Sequence, residues 1–441
     1  MKKTVFQIVF LVHFLPAQAQ NYYMAAPEGF GAAATGGGAA APAVAGTYSD
    51  LKAKILDPAV PVVLVSGVIT IPDGGAISGV LTNKTIVGLP GARLVNLTQT
   101  QGGSGCLYLK NGSRNVIIRN LTFEGPGAYD VDGHDNLTAD GCTHLWVDHC
   151  EFQDAVDGNF DIKGNSDSVT VSWCKFTYLK PPKPGGSGGA DDHRFSNLIG
   201  SSSSDAPPDG HYSVTFQNCY WADGCRERMP RARNGELHIL NCYYNTSVPG
   251  SRALGLGGGI NNLSCYVENT DFDTIGTAYK NYSSSDGGVV AIAFSGCLNG
   301  AGNFGTVAKP AYSCTVLPVA DLATVIPNVN CGAGATLQVT MAGVISSPCA
   351  STGAGERPAA AGITLYPSVV VDTLHIGFPD AGPGQASIVI YGAGGQLVFS
   401  SVKDIDPDRT TAVNLRDLAK GVYFCRIQYN HTEVTQQFIK G

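Results

Sequence analysis

The block NVIIRNLTF (115–123) decides the fold, because its pattern recurs five times further along the chain. The block starts are separated by 29, 24, 45, 23 and 28 residues. In each copy the second and fourth positions are apolar and the ninth is aromatic. This alternation is typical of a β-strand with one buried face. The later copies are HLWVDHCEF (144–152), SVTVSWCKF (168–176), SVTFQNCYW (213–221), ELHILNCYY (236–244) and SCYVENTDF (264–272).

The spacing of the blocks predicts how the strands are arranged. A strand unit that returns about every 24 residues, with too little helical pattern between copies for crossover helices, indicates a solenoid of stacked coils, a parallel β-helix. Equivalent positions then lie above one another at about 4.8 Å. The seventh position predicts an internal ladder of four buried thiols, with disulfides between coils as the alternative. These cysteines are Cys150, Cys174, Cys219 and Cys242.

The segments around the repeats have different compositions. Residues 1–19 combine a charged start, a short apolar run and Ala17-Gln18-Ala19, which predicts a cleaved signal peptide and export. Residues 20–336 then form the solenoid domain. The segment 337–361 is rich in Gly, Ala, Ser and Pro and predicts a linker. Residues 362–441 alternate as short strands and predict a small β-sandwich, so the chain is all-β.

Two further segments belong to the solenoid itself. Ser49 to Leu56 has the pattern of a short helix that could cover its open end. Residues 180–210, rich in Pro, Gly, Ser and Asp, form an insertion between two coils. Loops on a rigid scaffold are where binding chemistry concentrates.

Charge and hydropathy exclude several classes of protein. Lys and Arg number 28 against 35 Asp and Glu, a net charge of -7, which argues against nucleic-acid binding. After the first residues nothing reaches the 18 consecutive apolar residues of a membrane span. Fifty-six glycines and 24 prolines suit a turn-rich β protein. We expect a monomer with neither a nucleic-acid partner nor a membrane span.

A pair of carboxylates suggests a cation site. Asp157 and Asp161 stand four residues apart in DGNFDIKG, so on an extended strand both would point to the same face. Two like charges held together are unfavourable unless a cation lies between them. Asp135, one coil earlier, is a third candidate, and acidic turns that are merely solvated are the alternative. Oxygen ligands of this kind suit Ca²⁺ better than Zn²⁺.

Four arginines lie within eight residues after Cys225 and form a local positive site in an acidic chain. Arginine is suited to bidentate capture of carboxylates. Beside a bound dication they predict an extended anionic ligand with repeated carboxylates. Pairing with nearby acids such as Glu227 and Glu236 is the alternative. The four are Arg226, Arg228, Arg231 and Arg233.

Several ordered blocks resemble the pectate lyases of polysaccharide lyase family 1. They are WVDHCEF, DIKGNSDSVTVSWCKF, NLIGSSSSD and RMPRARNGELHILNCYY. Segments near residues 27 and 311 resemble the family's ends, so the likeness covers roughly residues 24–336. The resemblance implies a right-handed parallel β-helix, Ca²⁺ as cofactor, and cleavage of polygalacturonate by β-elimination to 4,5-unsaturated oligogalacturonides.

The resemblance also implies roles for single residues. Arg228 matches the arginine that removes the C5 proton, Arg233 matches a substrate-binding arginine, and Arg231 would support it. An arginine base implies activity that peaks well above neutrality, since the guanidinium must lose a proton. The implied calcium-binding carboxylates are Asp135, Asp157 and Asp161.

This chain departs from the family pattern at two of the implied site positions, and its ladder position has Cys where the family commonly has Asn. Gly133 stands where some members have another calcium-binding aspartate, which leaves Asp132 or His134 as substitutes. The family's substrate-binding lysine falls beside the insertion, where the register is unclear, and Arg194 or Lys180 could serve.

The last 80 residues resemble the carboxy-terminal sorting domain of type IX secretion. LYPSVVVDTLHI, IVIYGAGGQLVFS, LRDLAKGVYFCRI and the final QQFIKG carry this likeness. It implies recognition by the type IX secretion machinery and an extracellular or cell-surface location.

Two alternatives to a pectate lyase remain: a pectin lyase on the same fold, and a solenoid that binds pectin without cleaving it.

Overall fold

The computed structural model describes most of the chain. The predicted signal peptide and the second half of the expected linker lie outside the described residues. Among the described residues, no helix has the length and apolar character needed to cross a bilayer. The described ranges are 24–349, 364–367, 369–378, 384–392, 397–406, 409–429 and 432–441.

The repeated blocks form coils of a right-handed parallel β-helix, as expected. Each coil passes through three parallel sheets, which we call A, B and C in the order in which a coil visits them. Sheet A has ten strands, and its central strands begin the repeated blocks. They are Ala43–Ala45, Val62–Val65, Thr82–Gly88, Arg114–Arg119, Thr143–Asp148, Asp167–Ser172, Tyr212–Gln217, Gly235–Leu240, Leu263–Glu268 and Val290–Ser295.

Sheet B has eight strands. They are Val68–Thr70, Arg93–Val95, Thr122–Glu124, Glu151–Gln153, Lys175–Thr177, Tyr220–Trp221, Tyr243–Asn245 and Asp271–Thr274. Sheet C also has eight strands. They are Ile77–Gly79, Leu107–Leu109, Leu137–Asp140, Phe160–Lys163, Leu198–Ile199, Arg231–Ala232, Arg252–Leu256 and Thr277–Asn281.

The block pattern explains the core. The apolar residues at the second and fourth block positions are buried inside the coil. The ninth-position aromatics stack in one ladder, with ring centroids 4.5–5.4 Å apart. The four cysteines of the seventh position are free and buried, so the thiol ladder is confirmed and disulfides between coils are absent from it. Their Sγ atoms lie 3.4–3.7 Å from carbonyl oxygens of the preceding coil.

The predicted helix near the amino terminus is present as Tyr48–Leu56. Thr47 caps it by accepting a hydrogen bond from the Asp50 amide at 3.3 Å. Leu51 and Ile55 are buried and join the apolar core beside the first coils. The remaining short helices are Ser283–Asp286, the 3₁₀ turn Val319–Asp321 and Leu322–Val325.

The solenoid unit continues past residue 336. Leu337 and Val339 are buried against Leu64 and Val87 of sheet A. The strands Gln338–Val339 and Ile345–Ser346 pair as a short hairpin. A disulfide joins Cys331 to Cys349. The first part of the segment with linker composition is therefore packed, which its small residues did not indicate.

The last unit contains two sheets around one apolar core. Among the described residues, the first sheet has three strands that pair antiparallel. The second sheet has five strands, of which one pair is parallel. This arrangement agrees with a small sandwich. The strands are Thr364–Tyr366, Val369–Val370, Thr373–Gly377, Gln385–Gly392, Leu397–Asp404, Thr410–Asn414, Gly421–Tyr429 and Thr432–Lys440.

Candidate active site

The candidate residues lie where the loops that leave sheet B enter sheet C. Asp135 precedes the strand Leu137–Asp140, Asp157 precedes Phe160–Lys163, and Arg228 precedes Arg231–Ala232. Parallel pairing stacks these loops on neighbouring coils. Only Asp161 stands on a strand. Asp157 and Asp161 are therefore brought together by a turn and a strand start, and not by one extended strand as the spacing predicted.

Backbone and hydroxyl donors fix the carboxylates. The Gly158 amide donates to Oδ1 of Asp135 at 3.0 Å, and the Thr138 hydroxyl donates to Oδ2 at 2.6 Å. The Leu198 amide donates to Oδ1 of Asp161 at 2.9 Å. Gly158 has no side chain to separate the two acids. A Cβ there would lie 2.8 Å from Oδ1 of Asp135 and closer still to Oδ1 of Asp161.

Burial and the charges of neighbouring groups shift the pKa values of these carboxylates. Burial, together with the charge of Asp157, raises the pKa of Asp135 to about 6. Burial and the charges of Asp135 and Asp157 raise the pKa of Asp161 well above its usual value. Burial also opposes ionisation of Asp157. A hydrogen bond from His193 and the charges of Arg228, His193 and Lys163 outweigh that effect and hold the pKa of Asp157 below its usual value.

Arg228 lies beside this cluster. Its Nη1 is 3.8 Å from Oδ1 of Asp157. The guanidinium carbon stands 4.8 Å from the centre of the Phe195 ring, so an aromatic face supports it. The residue has a φ of 56°, in the left-handed region that favours glycine, and such backbone is retained where the surroundings enforce it.

His193 is a site residue that the sequence did not indicate. Its Nε2 lies 2.8 Å from Oδ1 of Asp157, and its Nδ1 lies 3.2 Å from Oδ1 of Asp130. An ionised carboxylate can only accept, so Nε2 donates to Asp157. The imidazole is 5% exposed and comes from the insertion between coils.

A glycine-rich part of that insertion carries His193 to the cluster. The Ala190 amide donates to Oδ2 of Asp130 at 2.7 Å, and the Gly188 amide donates to its carbonyl at 2.8 Å. A Cβ on Gly188 would overlap the Asp130 carboxylate. The insertion has no repeat register, so no periodicity could have placed His193.

The donor set fits a hard cation. Asp135 and Asp161 are buried and Asp157 beside them is partly exposed. Burial and the charges of neighbouring carboxylates raise the pKa of both buried acids. A dication between them would relieve that repulsion, and carboxylate oxygens suit Ca²⁺. In the part of the chain that the structure describes, no three His, Cys, Asp or Glu side chains are already arranged as a metal site. The residues that could hold the ion are Asp135, Asp157 and Asp161.

Asp132 and His134, the suggested substitutes for the family's additional aspartate, make their own contacts outside the carboxylate cluster. Asp132 is exposed and accepts a 3.4 Å hydrogen bond from Gln101. His134 is exposed, and its ring stands edge-on to the ring of Tyr108 on sheet C. At Gly133 a Cβ would lie 2.7 Å from Val156 and 2.9 Å from Ser104, so the packing leaves no room for a fourth carboxylate there.

The remaining arginines divide into two groups. Arg231 and Arg233 both pair with Asp286, and Nε of Arg233 is 3.1 Å from its carboxylate. The Tyr282 ring lies 4.1 Å from the Arg231 guanidinium carbon. Arg226 lies 3.3 Å from Asp192. Pairing with acids is therefore present, but the principal partner of Arg231 and Arg233 is Asp286, which comes from two coils further on.

Neither candidate for the family's lysine contacts the cluster. Lys180 donates to the Gly125 carbonyl at 2.6 Å and lies 3.2 Å from Glu124. Arg194 forms a bidentate pair with Asp192 at 2.6 and 2.7 Å.

Lys163 is a cation that the sequence analysis overlooked. It contributes to the potential at both Asp135 and Asp157. It stands two residues after Asp161 on one strand, so alternation places both side chains on the outer face of sheet C. That signal was available in the sequence.

Comparisons with known families agree with the fold. Residues 11–286 match the family model described as pectate lyase. Residues 364–441 match the model described as a secretion system C-terminal sorting domain.

Curated relatives match over part of their length. A pectate trisaccharide-lyase from Thermotoga sp. (strain RQ2) is 37% identical over 177 residues, which is 38% of this chain and 42% of the relative. A pectate lyase from Bacillus subtilis (strain 168) is 30% identical over 226 residues, which is 43% of this chain and 49% of the relative. The chain thus spans less than half of the length of these two relatives.

Solved structures share the fold at low identity. A pectate lyase from Bacillus sp. N165, solved in complex with trigalacturonate, is 21% identical with a TM-score of 0.51, over 68% of this chain and 96% of that one. A pectate lyase from Paenibacillus sp. 0602 is 18% identical with a TM-score of 0.51, over 70% and 96%. On the family model that covers more than half of its residues, the chain belongs to the pectate lyase family and carries a C-terminal sorting domain.

Proposed function

We propose that this chain is a secreted, calcium-dependent pectate lyase that cleaves (1,4)-α-D-galacturonan by β-elimination. The observation that carries the proposal is the Arg228 guanidinium, 3.8 Å from the partly exposed Asp157, which lies beside the buried Asp135 and Asp161. One coil, which ends in the strand Leu198–Ile199, lies between the coils of the cluster and the coil of Arg228, so an extended polymer can reach both.

Asp135, Asp157 and Asp161 are the proposed calcium ligands. Bound there, Ca²⁺ would neutralise the uronate carboxylate and favour the negative charge that develops beside it. Gly158 keeps the backbone close to the acids and supplies an amide to Asp135.

Arg228 is the proposed proton acceptor. It takes the proton from C5, the electrons of that bond form the C4–C5 double bond, and the bond from C4 to the departing sugar oxygen breaks. The departing oxygen takes a proton from water, which leaves a 4,5-unsaturated oligogalacturonide. Phe195 beneath the guanidinium limits its orientations.

Arg233 and Arg231 are proposed to bind further uronate carboxylates along sheet C. Both already face Asp286, so substrate carboxylates would share these cations with that acid. Arg194 and Lys180 remain proposals for substrate binding that depend on movement, because both are paired elsewhere.

The domain assignment belongs to the same proposal. A signal peptide at 1–19, a catalytic solenoid that begins at residue 20 and includes the packed residues 337–349, a shorter linker after them and a sorting domain at 362–441 would send a monomer to the cell surface or medium through the type IX machinery. The match of residues 364–441 to a sorting-domain model supports this location.

Absorbance of unsaturated uronide tests the activity. With polygalacturonate and Ca²⁺ we expect product, and with EGTA we expect none. Product that persists under EGTA would instead indicate a pectin lyase. Binding without product under either condition would indicate a capture module.

A glycine substitution tests the calcium site. Gly158→Ala places a methyl group against Asp135 and Asp161, so we expect calorimetric Ca²⁺ binding to be lost. Gly302→Ala is the matched control, because its Cβ would meet nothing within 4 Å. Equal Ca²⁺ affinity in the two variants would exclude this site.

A further inference from the structure

The Tyr178 hydroxyl lies between two loops of the candidate active site. It is 2.6 Å from the Phe195 carbonyl oxygen and 3.1 Å from the Asp157 carbonyl oxygen. Carbonyl oxygens only accept, so the hydroxyl donates its one proton to both. The side chain is 3% exposed, which shields it from any substrate. Tyr178 therefore connects the loop of a proposed calcium ligand to the insertion from inside the coil.

The end of a sheet B strand holds Tyr178 in this place. Tyr178 directly follows the strand Lys175–Thr177, and its ring belongs to the apolar core of the solenoid. The Tyr178 amide donates to the Asp223 carbonyl at 3.0 Å, and the Thr177 hydroxyl donates to the same oxygen at 2.8 Å. A close-packed ring on a bonded backbone has little freedom to move. The hydroxyl is therefore a fixed point for the two carbonyls.

Residues 195–198, which we call the spacer segment, contact both sides of the candidate active site. On one side, the Leu198 amide donates to Oδ1 of Asp161 at 2.9 Å. On the other side, the Asn197 amide donates to the Arg228 carbonyl at 2.6 Å. The spacer segment thus lies between the carboxylate cluster and the arginine, and its position sets the distance between them.

Phe195, the first residue of the spacer segment, also contacts the Arg228 side chain. The guanidinium carbon of Arg228 is 4.8 Å from the centre of the Phe195 ring. The carbonyl that Tyr178 binds and the ring that supports Arg228 therefore belong to one residue. A shift of the Phe195 backbone would move this ring and alter the 3.8 Å separation of the guanidinium from the Asp157 carboxylate.

We propose that Tyr178 is a positioning residue for the elimination, because its hydroxyl fixes the spacer segment against the Asp157 loop and so sets the place of Arg228 relative to the carboxylate cluster. The inference rests on the proposed function, in which Arg228 takes the proton and the cluster binds Ca²⁺. A displacement of about 1 Å in a reacting group costs about 100-fold in rate, so one buried hydrogen bond is enough to influence turnover.

Tyr178→Phe tests this role, because it removes the hydroxyl and keeps the ring in the core. With the full chain, polygalacturonate and Ca²⁺, we expect kcat to fall about 10-fold or more while KM stays unchanged. Both constants come from the absorbance of unsaturated uronide, at a temperature where circular dichroism shows the variant to be folded. A role in packing alone would lower Tm and leave the kcat of the folded protein unchanged.

Two further variants make the test specific. Tyr48→Phe is the matched control, because the Tyr48 hydroxyl also donates to a carbonyl, that of Gly75 at 2.8 Å, and it lies at the amino-terminal helix. We expect its kcat to equal that of the parent chain. Phe195→Ala is combined with Tyr178→Phe. Since Tyr178 acts through Phe195, the loss of kcat in the double variant should be smaller than the product of the two single losses.

The outcomes separate this inference from the proposed function. An active parent chain with unchanged kcat in Tyr178→Phe, an equal loss in Tyr48→Phe, or single losses that multiply in the double variant would overturn the positioning role and leave the lyase intact. A Tyr178→Phe variant that does not fold would assign the hydroxyl to folding and overturn the role as well. Absence of unsaturated product from the parent chain would overturn the proposed function and this inference with it.

Discussion

Arg228 combines a charge and a stacking contact that lysine cannot reproduce. Its guanidinium reaches Asp157 while it lies over Phe195. Arg228→Lys should lower kcat for polygalacturonate about 10²–10⁴-fold, the range for loss of a general base. KM and calorimetric Ca²⁺ affinity should stay unchanged.

Arg226→Lys is the matched control for that substitution. Arg226 belongs to the same arginine segment, but its guanidinium faces Asp192 and not the carboxylate cluster. Equal losses of kcat in the two variants would contradict the role of Arg228 as proton acceptor.

His193 acts through Asp157, so it is a positioning residue. His193→Ala removes the 2.8 Å hydrogen bond and leaves Asp157 free to rotate. Because partners of metal ligands commonly contribute 10–100-fold to affinity, we expect the Kd for Ca²⁺ to rise about 10-fold or more. Calorimetry measures this without any substrate.

His211 provides the comparison for His193. It lies in another loop, where its Nε2 is 2.8 Å from the Asn261 carbonyl. His211→Ala should leave Ca²⁺ affinity unaltered. An unaltered affinity in His193→Ala as well would show that the imidazole does not orient Asp157.

At the scale of the element, the aromatic ladder joins successive coils. Phe152 is fully buried and stacks on Phe123 at 4.9 Å and on Phe176 at 5.3 Å. Phe152→Ala should lower the free energy of unfolding of the solenoid unit by about 3–5 kcal/mol, as for other buried aromatics. Urea denaturation followed by circular dichroism measures the change, and Phe304→Ala, at a side chain 53% exposed, should cost far less. A similar cost for the two would argue against the ladder as a stabilising element.

The elements also show why sequence predicted the coils better than the site. Residues such as Val116 and Ile118 alternate with period two, and each copy of the block repeats that signal. Asp286 carries no such signal, since its pairing with Arg231 depends on a contact between distant coils. His193 lies in an insertion whose course is set by glycine contacts with Asp130.

At the scale of the whole molecule, the stacking of coils brings together residues that are far apart in the sequence. Asp135 and Arg228 are far apart in sequence, yet their loops lie on nearby coils because parallel pairing fixes the register. The same register carries the outer face of sheet C past the cluster in both directions. A long polymer can thus contact the chain over several coils, which a compact site on one loop would not permit.

Calcium should change the pH dependence of stability. Without the ion, Asp135 has a pKa of about 6 because of burial and the charge of Asp157, against about 4 in an unfolded chain. The folded state then binds more protons than the unfolded state between these values, so the stability of the calcium-free protein falls as pH rises from about 4 through about 6. Calcium requires the deprotonated acids and removes this penalty. Calorimetric melting should therefore show a larger gain in Tm from Ca²⁺ at about pH 8 than at about pH 5, and Asp135→Asn should reduce the difference, because the raised pKa of Asp161 remains. Equal gains at the two pH values would mean that these carboxylates do not bind the ion.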